Sequence, residues 1–221
     1  MRYSAWTILR NAVAGDRLWT PAWRDPAPKA RYDAIVIGGG GHGLATAYYL
    51  ARNHGLRDVA VLERGYIGGG NVGRNTTIVR ANYLLPGNSE FYSHSLRLWE
   101  GLERELNYNV MMSQRGILNL CHSDGQFDAF ARRGNAMRFQ GDDAELLDRE
   151  AVRAHAPFLD FRDARFPIRG GLLQRRAGTA RHDAVAWGFA RGADRLGVDI
   201  IQNCEVTGFR IENGVVRGVE T

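Results

Sequence analysis

Apolar positions along the chain fall into two kinds of pattern: short continuous runs, and longer stretches with helical spacing. Ala34 to Ile37 is a run rich in β-branched residues and bounded by glycines, which predicts a strand buried on both faces. Residues 44–53 predict a helix with Gly55 just past its end, and Val59 to Leu62 predict a second strand that closes at Glu63. Further on, residues 89–106 carry Phe91, Tyr92, Leu96, Trp99, Leu102 and Leu106 at helical spacing. The pattern then predicts a strand over 110–120, a helix over 126–139, another helix within 142–154 and a strand over 169–174. A strong helix over 183–196 ends at Gly197, and strands follow over 198–203, 205–211 and 215–219. Glu212-Asn213-Gly214 makes the last two strands a hairpin. Before all of this, residues 4–14 form an amphipathic helix, and Trp19, Pro21, Trp23, Pro26 and Pro28 mark an irregular extended segment. The tryptophans there pack either on the chain's own surface or on a partner subunit. Strands alternating with helices place the chain in the α/β class.

The first three elements carry a specific chemistry. Gly38, Gly40 and Gly43 stand at G-x-G-x-x-G spacing between a strand and a helix. Gly38 permits the tight turn, Gly40 lets backbone approach a pyrophosphate, and Gly43 lets helix and strand pack closely. The helix N-terminus offers unpaired N–H groups and partial positive charge to phosphates. Glu63 lies twenty positions after Gly43, where an acid accepts hydrogen bonds from a ribose diol. A second loop, with Gly68, Gly69, Gly70 and Gly73, brings the polar residues Asn71, Arg74, Asn75, Thr76 and Thr77 directly after that acid. Such a loop wraps a cofactor's pyrophosphate and ring system, and its presence favours a flavin over a nicotinamide.

Composition narrows the picture. At 221 residues and 44% hydrophobic, the chain can bury a sizeable core. The net charge of +5 is dispersed, with Lys29 the only lysine, and describes a solvated surface, anionic ligands or an acidic partner protein better than nucleic acid. Two cysteines without metal-ligand spacing, Cys121 and Cys204, suggest a reducing compartment and no structural metal. No apolar run has the roughly 20 residues needed to span a bilayer. Arg10 interrupts the apolar N-terminal stretch, which makes it a poor signal peptide. These features predict a cytoplasmic protein. The chain stops at Thr221 directly after a hairpin strand, and a complete doubly wound domain needs further parallel strands, so a missing C-terminal half is expected.

Several segments together carry a resemblance: Y-D-A-I-V-I-G-G-G-G-H-G-L-A-T-A-Y-Y-L-A, V-A-V-L-E-R-G, G-G-N-V-G-R-N-T-T-I-V-R-A-N-Y, S-Q-R-G-I-L-N-L and A-G-T-A-R-H-D-A-V-A-W-G-F-A-R. The chain resembles the β subunits of heterotetrameric sarcosine oxidases, within the glycine oxidase and D-amino-acid oxidase group of flavoproteins. The resemblance implies a Rossmann-type FAD-binding domain with an inserted α+β substrate domain. It divides the chain into an N-terminal extension (1–31), a first FAD-binding part (32–85), the start of the substrate insert (86–175) and a truncated return to the FAD-binding domain (176–221). It implies non-covalent FAD contacted by Gly41, His42, Glu63, Asn71, Asn75, Thr76, Ile78 and, through its backbone, Val206. It implies FMN joined covalently to His182, electrons passing from FAD to FMN to dioxygen with release of hydrogen peroxide, and a one-carbon unit handed to tetrahydrofolate in a partner subunit. The implied partners are α, γ and δ subunits, with NAD carried by α.

Two residue types bear on the reaction itself. Oxidising the secondary amine of sarcosine requires its carboxylate to be held still, which a guanidinium does by bidentate pairing. Arg80, just past the glycine loop, is the candidate, and the alternative is a surface or structural ion pair. His182 by itself reads as a structural or surface histidine, and only the resemblance assigns it the FMN link. From 164 to 180 there is no acid but there are Arg165, Arg169, Arg175 and Arg176, with Arg181 following. That run suits the FMN phosphate, or a solvated face. Besides sarcosine oxidation, the residues admit a flavoenzyme for another N-methyl or imino acid, and a non-catalytic scaffold that binds a dinucleotide for assembly.

Overall fold

The computed structural model of the chain describes residues 4–15, 21–85, 87–162 and 165–221. In chain order the elements are α1 (Ala5–Ala14), β1 (Ala34–Ile37), α2 (Gly41–His54), β2 (Val59–Leu62), β3 (Ile78–Val79), α3 (Asn88–Leu106), β4 (Ile117–Cys121), α4 (Asp124–Phe139), β5 (Glu145–Asp148), α5 (Arg149–His155), β6 (Gly170–Gln174), β7 (Gly178–Thr179), α6 (His182–Arg195), β8 (Asp199–Ile201), β9 (Gly208–Glu212) and β10 (Val215–Glu220). They form two compact units, one of Met1–Gly69 with Phe189–Thr221 and one of Gly70–Gly188. Among the described residues no helix is long and apolar enough to cross a membrane.

The first unit is built on a parallel sheet in the order β1-β2-β8. Central β2 is buried along its whole length, as a strand with neighbours on both edges and cover on both faces must be. β1 differs from expectation. Its residues alternate, with Ile35 and Ile37 exposed at 36% and 50%. Alternate side chains point to opposite faces, so the face carrying Ile35 and Ile37 is the one left uncovered among the described residues, and the apolar run does not report burial on both faces. α2 buries Leu44, Ala47, Tyr48 and Ala51, with Tyr48 meeting Phe189 edge-on at 5.8 Å. Gly55 ends the helix in the left-handed conformation, its N–H donating to the Leu50 carbonyl. β9 and β10 pair antiparallel around Asn213 and Gly214, both at positive φ, which is the turn whose twist suits a two-residue hairpin.

The N-terminal extension divides in two. α1 is capped by Ser4, whose hydroxyl accepts from the Thr7 N–H, but it buries none of its residues and leaves Trp6 exposed. The segment that follows is tied down. Arg24 pairs with Asp194 at 2.7 Å and donates to the Val198 carbonyl at 3.0 Å. The Asp199 side chain, 3% exposed, receives Arg24 at 3.4 Å, Lys29 at 3.2 Å and the Tyr32 hydroxyl at 3.2 Å. Trp23 is half-buried, and Trp19 lies outside the described residues.

The second unit holds an antiparallel sheet in the order β4-β6-β5, with Met137, Ala144 and Leu172 at its core and Phe130 packed against them. The expected strand over 110–120 begins only at Ile117, because Met111 and Gly116 take positive φ and break the extended run. The expected helix within 142–154 is preceded by a strand, β5, and Asp148 caps α5 by accepting from the Ala151 N–H. β3 and β7 pair antiparallel over two residues each, too short to leave a sequence pattern.

Candidate functional site

The strand–turn–helix of the first unit has the geometry its glycines promise. Gly38 leaves β1 at φ 105° and its N–H donates to the Leu62 carbonyl. A Cβ on Gly43 would stand 2.0 Å from the Gly38 carbonyl oxygen, so the helix approaches the turn this closely only with glycine there. α2 begins after Gly40 with no side-chain cap and no acid in its first turn, where Gly41, His42 and Gly43 lie. The leading N–H groups and the helix dipole therefore face no competing protein anion within the helix. That arrangement fits the pyrophosphate of a dinucleotide.

Glu63 stands at the end of β2. Its carboxylate accepts from the Gly39 N–H at 2.7 Å and the Gly65 N–H at 2.9 Å. Two backbone donors fix its orientation, and a carboxylate has acceptor capacity left over for a diol. Gly39 is a site residue that the fingerprint spacing does not single out. A Cβ there would lie 3.0 Å from the Glu63 Cβ, so this glycine admits the acid to the turn. The loop beyond is stitched in place: Gly68 N–H donates to the Gly39 carbonyl, Ile67 N–H to Gln202 Oε1 and Asn203 N–H to the Gly65 carbonyl. Val206 packs against the Ala60, Leu62 and Ile201 cluster beneath.

In the second unit, Asn71 to Arg74 make a single 3-10 turn, with Asn71 and Arg74 exposed. Asn75 spends its side chain on its own loop, donating to the Val72 carbonyl and accepting from the Thr77 N–H, both at 2.6 Å. Thr76 is exposed, and Ile78 opens β3 opposite Thr179. Arg80 follows β3. Its guanidinium lies over the Tyr83 ring, 5.4 Å from the centroid, and among the described residues no carboxylate pairs with it. It borders a pocket of about 100 Å³ shared with Tyr83, Tyr92, Ser95, Leu96 and Trp99. A larger open depression of about 390 Å³ around Phe158 and Phe161 contains none of the expected site residues.

His182 is the first residue of α6, one position earlier than the sequence pattern places the helix start, and its Nδ1 is buried without a hydrogen-bond partner. The arginine run before it is not uncompensated. Arg175 pairs with Glu145 and Arg176 with Glu100, both in bidentate fashion, and Arg169 approaches Asp124 at 3.8 Å. Arg181 forks onto Asp183 at 2.8 and 3.1 Å. The acids come from α3, α4, β5 and the residue after His182, none of them inside the acid-free window. Arg175 and Arg176 thus face acids of their own unit, contrary to the expectation that they are left uncompensated for a phosphate.

Comparison with known proteins agrees with the fingerprint. A family model described as FAD dependent oxidoreductase matches residues 33–221. The chain is 71% identical over 221 residues to sarcosine oxidase subunit beta of Rhizobium meliloti (strain 1021), covering 100% of this chain and 53% of that protein. It is 54% identical over 200 residues to sarcosine oxidase subunit beta of Arthrobacter sp, covering 90% of this chain and 49% of that one. The chain thus spans about half the length of the curated relatives it matches. Among solved structures, L-proline dehydrogenase from P. horikoshii aligns with a TM-score of 0.79 at 27% identity, covering 87% of this chain and 49% of that one. With a glycine-built phosphate turn, an acid fixed at the end of the second strand and a family match running from residue 33 to 221, the chain belongs to the FAD dependent oxidoreductase family.

Proposed function

We propose that this chain is the N-terminal half of a flavoenzyme subunit that oxidatively demethylates sarcosine to glycine. The observation that carries the substrate is the 71% identity, along the whole chain, to a sarcosine oxidase subunit beta. The geometry is consistent with it. In this reading Gly38, Gly40, Gly41, His42 and Gly43, at the start of α2, would hold the pyrophosphate of FAD, and Glu63 would accept from its ribose. The assignment of Asn71, Arg74, Asn75, Thr76, Ile78 and Val206 to FAD rests on the family resemblance. When bound, FAD takes up a hydride equivalent from the carbon beside the substrate nitrogen. Arg80 contributes a guanidinium that no acid among the described residues pairs with, which suits a substrate carboxylate. The apolar and aromatic walls around it limit water at the charged contact.

The finer parts of the reading concern the whole assembly. The second unit serves as the substrate-binding insert, and the remaining half of the relatives' length completes the FAD-binding domain. FMN is attached at His182, dioxygen is the final acceptor, and the one-carbon unit goes to tetrahydrofolate in a partner among α, γ and δ subunits. His182 Nδ1, buried and unpaired, is the structural support for the FMN link. Arg181 forks onto Asp183 through Nε and one terminal nitrogen, so its other terminal nitrogen is what it would offer the phosphate. A cytoplasmic location goes with this reading, since Cys121 and Cys204 are both free thiols.

The test is the visible spectrum of the full-length protein in its native assembly, recorded before and after anaerobic sarcosine. Bleaching of the flavin band is expected. A band that sarcosine leaves unchanged would overturn the reading and favour a non-catalytic dinucleotide-binding scaffold. The likeness to L-proline dehydrogenase supports one competing reading, a flavoenzyme for a cyclic imino acid. Reduction by L-proline faster than by sarcosine would select it.

A further inference from the structure

Arg80 differs from those arginines of its unit that fork onto acids, and shares its kind of ring contact with Arg165, which lies over Phe166 at 5.4 Å. Arg175, Arg176 and Arg181 each spend a fork of N–H donors on a carboxylate. Arg80 has an aromatic ring instead. We propose that Tyr83 is the positioning residue for Arg80, its ring holding the guanidinium by cation–π attraction so that the in-plane donors stay free for a carboxylate ligand. The inference rests on the reading of Arg80 as the substrate's carboxylate partner.

The backbone of Arg80 is held on both sides. Val79 pairs with Gly178 in the short β3–β7 ladder, and the Ala81 N–H donates at 3.1 Å to Oε1 of Gln174, which is 1% exposed. A fixed backbone still leaves the long side chain its rotamers, whose freezing costs conformational entropy. The side chain needs a partner of its own. A carboxylate would fix it but would also occupy the donors that recognise a ligand. A ring at 5.4 Å, inside the roughly 6 Å range of cation–π attraction, fixes it and leaves those donors open.

The ring is itself held by the fold. Tyr83 stacks on Tyr92 of α3, with centroids 3.8 Å apart and planes inclined by 20°. The Tyr83 carbonyl accepts from the Ser89 hydroxyl at 2.6 Å. One turn further, the Ser93 hydroxyl contacts the Ser89 carbonyl at 2.8 Å and the buried Asp142 carboxylate at 2.6 Å. The first turns of α3 thus join Tyr83, by side chain and backbone, to the interior of the unit.

The experiment uses the full-length protein in its native assembly and follows anaerobic flavin reduction by sarcosine, separating half-saturation from limiting rate. Tyr83→Phe keeps the ring face, and half-saturation should stay within about twofold of the parent. Replacing that phenylalanine with increasingly fluorinated phenylalanines keeps shape and fold but removes negative potential from the ring face. Half-saturation should climb along the series to roughly five- to tenfold, with FAD content and thermal midpoint unchanged. Tyr83→Leu should weaken half-saturation, and adding it to Arg80→Ala should cause no further loss. A flat fluorine series, or additive losses in the double variant, overturns the proposal while Arg80→Ala still weakens sarcosine. If Arg80→Ala leaves half-saturation unchanged, the carboxylate reading of Arg80 fails and the proposal falls with it.

Discussion

Glu63 does two things with one carboxylate. It pins Gly39 and Gly65 by their N–H groups, and it keeps acceptor capacity for a ribose. Losing one hydrogen bond to a charged group costs about 1.5–3 kcal/mol, so Glu63→Ala should weaken FAD by roughly one to two orders of magnitude. Equilibrium dialysis of the flavin-stripped protein measures this, and an unchanged affinity would remove Glu63 from the site. His182 calls for a different measurement, because its assigned bond is covalent. Denaturing mass spectrometry with peptide mapping should leave a flavin mass on the peptide containing His182, absent in His182→Ala, while FAD dissociates. An adduct on His155 or Cys204, or on no residue of this chain, would refute the attachment and point to a single-flavin relative.

At the scale of elements, the N-terminal extension behaves as a strap whose buckle is Asp199. A carboxylate with 3% of its side chain exposed is stable there because Arg24, Lys29 and Tyr32 all reach it. Arg24 and Lys29 are about half exposed, so removing their shared partner returns them to water instead of burying an orphan cation. Asp199→Ala should therefore destabilise the first unit by about 1–3 kcal/mol, within the range for a lost hydrogen-bonded charge. Limited proteolysis of the full-length protein should cut within residues 21–33 well before the parent is cut there. Equal protection in the two proteins would show that the strap is held by something else. α1, which buries nothing, plays no part in this prediction.

For the molecule as a whole, acid is the informative stress. The Arg176 side chain holds the Glu100 carboxyl below its ordinary value, and the Arg175 side chain does the same for Glu145. Because the folded values are depressed, the stability these pairs contribute is present in full above the unfolded value of 4.5 and is lost as pH falls through the lower folded values. Both pairs lie in the second unit, so its thermal midpoint should fall on acidification below about pH 4.5. Glu100→Gln should lower the midpoint at neutral pH and flatten that acid slope, and a slope identical to the parent's would show that the pair contributes nothing. Lys29 runs the other way. Hydrogen bonds from Lys29 to Asp58 and Asp199 raise its value, so its contribution persists through neutral pH and is lost only in strong base.

What the chain's order alone determined was local. The β1–Gly38–α2 turn, Glu63 at the end of β2, the Gly55 stop and the Asn213-Gly214 hairpin are each set within a few residues by backbone sterics and side-chain period. Tertiary structure decided what depends on neighbours far along the chain. Arg176 meets Glu100 across 76 positions and Arg175 meets Glu145 across 30, so an arginine run that reads as uncompensated is paired in space. Exposure of β1 depends on what lies across its face, and the need for glycine at position 39 on where Glu63 sits 24 positions later. Arg80 is the converse case: among the described residues, folding brings it a tyrosine ring and no acid. Backbone conformation is chosen by near neighbours, whereas charge pairing and burial are properties of contact, and contact is settled only when distant segments of the chain have packed together.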